Sequence, residues 1–175
     1  MATQRSADVA PHLTGPAYGV AVLFVVLPII DTLAQVWPVA LGSPSWRYGA
    51  VGLGANYLIS FVFGMWLLCF LAARQLHRGT LRSLATASGV VAVLLLIAAA
   101  GFALDAIQLR PGVPRDNPRN LWTFEVGAAK AAFKYVVSGV VLGWLALSSR
   151  RAWRAIPQQA PEESPKLVRS SKAGG

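Results

Sequence analysis

Apolar residues in this chain do not alternate with polar ones; they come in long runs. Four stretches nearly free of Asp, Glu, Lys and Arg occupy residues 17–40, 49–73, 85–108 and 124–148. Each is about the 20 residues that an α-helix needs to cross hydrocarbon. Inside lipid, only helices and closed barrels satisfy their own backbone polar groups. The pattern predicts an all-α integral membrane protein. The connections "LGSPSWRYG", "RQLHRGTLRS" and "LRPGVPRDNPRNLW" are short enough to force antiparallel neighbours, giving an up-down bundle of four transmembrane helices.

Outside the bundle, residues 1–16 read as a flexible, Pro-punctuated leader and residues 149–156 as a basic helical extension on the membrane surface. Residues 157–175 have the composition of a disordered tail. The first span is too long for a signal-peptide core, contains Asp31 and lacks a small-x-small cleavage site. It reads as a retained helix.

Composition agrees. Only 13% of residues are charged, against about 25% in soluble domains. The net charge of +9 raises nucleic acid as a partner, but the basic residues sit at the ends of apolar runs, and no zinc spacing or RNA-binding signature accompanies them. Their distribution sets orientation instead. One side holds Arg5, the Arg74–Arg78–Arg82 turn and the basic C-terminal segment, ten Lys and Arg in all. The other side holds four: Arg47, Arg110, Arg115 and Arg119. The positive-inside rule then places both termini in the cytoplasm. Trp37, Trp46, Tyr48 and Trp122 fall at the outer interface, and Tyr18, Trp66, Trp144 and Trp153 lie towards the inner one, as aromatic belts require. The Ala- and Arg-rich, Lys-poor composition fits a bacterium of high genomic GC, and the apolar spans then point to its inner (cytoplasmic) membrane.

The polar positions within the spans carry whatever chemistry there is. Pro28, Asp31 and Gln35 share one face of the first helix, and Asn56 and Ser60 one face of the second. Asp105 and Gln108 lie on the third, with Glu125, Lys130 and Lys134 on the fourth. At a rise of about 1.5 Å per residue, Asp31 lies about 13 Å below the outer boundary, Lys134 about 15 Å and Lys130 about 9 Å. Asn56 falls at about 10 Å and Asp105 at about 5 Å, while Glu125 is almost at the surface. The polar cluster Asp31, Gln35, Asn56, Asp105, Glu125, Lys130 and Lys134 thus gathers in the outer half, and depth makes Asp31 with Lys134 the best-matched ion pair. Trp46, Arg47 and Tyr48 form an outer interface anchor, with Arg47 placed to cover the cluster. Gly139 and Gly143 form a GxxxG packing face, within the chain or between chains.

Cys69 is the single cysteine, so no internal disulfide exists. His12 and His77 lie outside the spans, which argues against a haem held by two histidines. No phosphate loop, HExxH or nucleophile elbow occurs. Neither a cofactor nor a metal is expected. The reading that follows is a non-enzymatic accessory or scaffold protein whose partners are the bilayer and either a second copy or a larger membrane complex. The alternative is a small transporter, channel-like or ligand-binding bundle using Asp31, Asn56, Asp105, Lys130 and Lys134. A membrane enzyme acting on lipid or quinone comes third.

Overall fold

A computed structural model describes residues 11–114 and 118–155. Among these residues the chain is all helical. Helix α1 covers Pro11–Val36, α2 Pro44–Gly54, α3 Leu58–Arg74, α4 Arg78–Leu109 and α5 Pro118–Ala155, with a 3-10 turn at Arg110–Gly112 between the last two. Three helices, α1, α4 and α5, are long and apolar enough to cross a membrane, and α2 with α3 makes a fourth if the bent pair counts as one span. Residues 1–10, 115–117 and 156–175 lie outside the described set, and with them the first part of the expected leader and the expected tail.

Local chemistry sets the boundaries. Trp37 precedes Pro38, and a residue before proline is pushed out of the helical region, so α1 stops at Val36. Ser43 caps α2, its hydroxyl accepting from the Trp46 backbone N–H at 3.4 Å, with Pro44 as first helical residue. Helix α3 closes through two reverse bonds, Leu76 N–H to Ala73 O at 3.2 Å and His77 N–H to Ala72 O at 3.1 Å. That closure puts Leu76 at φ 54°, a left-handed position normally filled by glycine.

Several expected boundaries move. Helix α1 begins at Pro11, so the last residues of the expected leader are helical. The basic turn expected over 74–83 shrinks to residues 75–77, because burial of Leu81 and Ala85 keeps the chain helical from Arg78 onwards. The basic extension after residue 148 is the uninterrupted end of α5. The largest difference is in the second span, expected to be one helix over 49–73. It is broken at residues 55–57, with its halves bent by 51°. Gly52, Gly54 and Asn56 are weak helix formers, and Tyr135 of α5 wedges against the break. A Cβ on Gly54 would lie 2.7 Å from the Tyr135 hydroxyl.

Helices α4 and α5 pack along one another, while α1 rests chiefly on α3 and secondarily on α2. One core cluster joins the break to α4 and α5 through Leu58, Phe102 and Tyr135. A second joins Met65 and Cys69 of α3 to Ala92, Leu142 and Leu145. Close approach depends on small residues. A Cβ on Gly139 would lie 3.1 Å from Leu96 and 3.3 Å from the Ala92 carbonyl, and one on Gly143 3.9 Å from the Ala92 Cβ. Both glycines of the GxxxG face therefore meet α4 of the same chain.

Candidate functional site

The break between α2 and α3 organises most of the polar side chains. Tyr135, buried at its centre, donates from its hydroxyl to the Val51 carbonyl at 3.0 Å. Asn56 and Tyr57 sit in the break itself. Asn56 Oδ1 accepts from Lys134 Nζ at 3.3 Å, and the Tyr57 hydroxyl accepts from Gln35 Nε2 at 2.5 Å. The break thus ties α1 and α5 to the same three-residue segment.

Towards the α2 N-terminus lies the strongest polar contact. Arg47 grips Asp105 through two hydrogen bonds, Nε to Oδ2 at 3.0 Å and Nη2 to Oδ1 at 2.6 Å. Its Nη1 donates to the Leu41 carbonyl at 2.8 Å. A two-pronged guanidinium–carboxylate contact is both stronger and more directional than a single bond. Here it fastens α2, α4 and the preceding connection together. Asp105 is buried, at 6% exposure, so this pairing answers the desolvation of its carboxylate. Trp46 anchors the same hairpin, its indole N–H donating to the Val36 carbonyl at 3.0 Å. Tyr48 stacks between Phe102 and Phe124, with ring centroids 4.8 and 5.1 Å away. Glu125 pairs with Arg110 at 2.7 Å.

The ionisable residues therefore do not form one cluster. The expected pair of Asp31 with Lys134 is replaced: Lys134 turns to Asn56, and Asp31 forms no hydrogen bond or ion pair among the described residues. Matching depth is insufficient, because α1 packs on α3 rather than on α5. Lys130 likewise has no such partner among the described residues, and both Asp31 and Lys130 are exposed.

Two grooves flank the contact of α1 with α3. One, of about 300 Å³, is bordered by Thr32, Leu33, Tyr57, Phe61, Leu95 and Tyr135. The other, of about 420 Å³, is bordered by Leu23, Phe24, Leu27, Asp31, Tyr57 and Ser60. Neither is lined by Asn56, Asp105, Lys130 or Lys134. No three His, Cys, Asp or Glu side chains gather as metal ligands among the described residues.

Sequence reasoning overlooked Tyr135 as the wedge at the break, although the Gly-x-Gly before Asn56 marks where a bulky side chain fits. It also left Asp105 without its specific partner; the placing of Arg47 above the polar cluster was the available signal. No protein-family model, curated protein or solved structure matches the chain.

Proposed function

We propose that this chain is a non-enzymatic accessory or scaffold protein of the bacterial inner membrane, with four spans and both termini in the cytoplasm, which acts by packing its helices against another membrane chain. The observation that carries the reading is the pair of exposed charges. Asp31 on α1 and Lys130 on α5 stand on apolar helices, are exposed and have no hydrogen-bond or ion-pair partner among the described residues, with Asp31 at the edge of the groove beside Tyr57 and Ser60. A charge facing hydrocarbon costs about 3 kcal/mol at a helix centre on the lenient insertion scale. An opposite charge or a polar group on a neighbouring chain relieves it. Gly54, Gly64 and Gly139, by contrast, are spent on contacts within the chain.

The topology rests on the apolar helices, with α2 and α3 as one bent span, and on the ten-to-four excess of Lys and Arg on one side. A reporter fused after Lys172 is expected to be active in the cytoplasm; activity in the periplasm overturns the orientation.

The association is tested by gentle detergent extraction and native mass measurement. Wild type is expected as a complex heavier than one chain. Asp31→Leu and Lys130→Met are each expected to release the single chain while leaving its melting temperature intact. A wild type that runs alone, unchanged by either substitution, removes the proposal.

A ligand-binding or transport role is favoured by one observation, the groove that Asp31 shares with Tyr57 and Ser60. It predicts loss of uptake in Asp31→Asn with the complex mass unchanged. Pairing of Asp105 with Arg47 and of Lys134 with Asn56 leaves that role fewer free charges than the sequence offered.

A further inference from the structure

At the end of the molecule opposite the break, α4 begins and α5 ends side by side. Trp153 of α5 is half-buried there, and three guanidiniums converge on its ring. Arg78 lies 5.4 Å from the ring centroid, Arg82 6.0 Å and Arg154 5.8 Å. None of the three forms a salt bridge among the described residues. The first turn of α4 contains no acidic residue to offset them. Three cations within reach of one ring repel each other, and the attraction of each to the π face only partly compensates. The arrangement is electrostatically incomplete without an anion.

What kind of anion is indicated by the surface next to it. A shallow, open groove lined by α4 alone starts at Arg82 and runs along that helix past Ser83, Thr86 and Ala87 to Val90 and Val91. From Arg82 to Val91 the helix rises about 14 Å, and beyond Thr86 the groove is apolar. An anion site continuous with an open apolar helix face matches a molecule with a charged head and a hydrocarbon tail. Guanidinium forks suit phosphate oxygens, and tryptophan favours the headgroup level.

We infer that Arg78, Arg82 and Arg154, gathered on Trp153, bind the phosphate of an anionic phospholipid, with an acyl chain lying in the α4 groove from Arg82 to Val91. This site is separate from the exposed charges of Asp31 and Lys130 and does not depend on what they contact.

The full-length protein, purified in mild detergent, is titrated with phosphatidylglycerol and with phosphatidylcholine, and bound lipid is counted by native mass spectrometry. Wild type is expected to retain phosphatidylglycerol at least tenfold better than phosphatidylcholine. Arg78→Gln with Arg82→Gln is expected to erase that preference. Arg150→Gln with Arg151→Gln, which removes the same charge from the same end, is expected to keep it within threefold. Should the first double variant fail to fold, Arg154→Gln alone, in the exposed last turn of α5, is expected to weaken the preference severalfold. Equal losses in both double variants overturn the site in favour of diffuse charge attraction. So does a wild type without preference. Displacement of the lipid by millimolar inorganic phosphate overturns the acyl-chain part, because a free anion then suffices.

Discussion

Gly64 of α3 lets α1 approach closely. A Cβ built there would lie 2.9 Å from the Phe24 Cβ, 2.9 Å from Val25 Cγ2 and 3.0 Å from the Phe24 backbone carbon. Carbon atoms pack best at about 3.5–4.0 Å. Gly64→Ala therefore needs α1 to retreat by about half an ångström or more. No rotamer change relieves the backbone contact. A gap of that size forfeits about a quarter to a half of each affected dispersion contact, and overpacking of this kind costs about 1–3 kcal/mol. Alanine returns up to about 1 kcal/mol through its higher helix propensity. The net expectation is a loss of about 0.5–2 kcal/mol for Gly64→Ala and a larger one for Gly64→Leu. Gly52→Ala and Gly101→Ala, where a Cβ meets nothing within 4 Å, keep only the propensity gain. Thermal unfolding in one detergent reads the difference, at about 2–4 °C per kcal/mol for a chain of this length. If Gly64→Ala melts at or above Gly52→Ala, the close crossing of α1 over α3 is wrong.

Five further substitutions probe three other places in the fold. Gly54→Ala should be destabilising because its Cβ meets the Tyr135 hydroxyl at 2.7 Å. Tyr135→Phe alone loses about 1 kcal/mol with its bond to Val51; the double variant should be more stable than the two losses added together, and simple additivity refutes the wedge. Leu76→Gly should stabilise by about 0.5–1 kcal/mol, because the left-handed penalty of about 1–2 kcal/mol exceeds the extra chain entropy of glycine; a lower melting temperature argues against the positive φ. Asp105→Leu should lower the melting temperature by stranding the Arg47 guanidinium, and Arg47→Met in the same chain should restore part of it; no restoration means that the two do not act as a pair.

The helices were legible because each apolar run is long and sharply bounded. What the runs do not reveal is which neighbour a helix chooses. Asp31 and Lys134 match in depth, yet α1 lies on α3 and the charges part. Arg47 and Asp105 meet because the hairpin carrying Arg47 folds over α4, a fact of tertiary packing that helical spacing on either helix cannot express. The break at residues 55–57 was equally hidden. Its glycines look like ordinary small residues of a membrane helix until Tyr135 is seen against Gly54. The arginines around Trp153 were visible as charge, but their convergence needs α5 to continue as a helix past residue 148, where a change of composition suggested a separate segment.

Helix α5 runs unbroken from Pro118 to Ala155, and this continuity has a mechanical consequence. Each residue advances the chain by about 100° and about 1.5 Å. Lys134, at the break, and Trp153, among the arginines, are therefore held about 28 Å apart at a fixed angular offset of about 100°. The break-side lysine and the arginine-ringed indole are thus set at a fixed height and angle to one another by a single element.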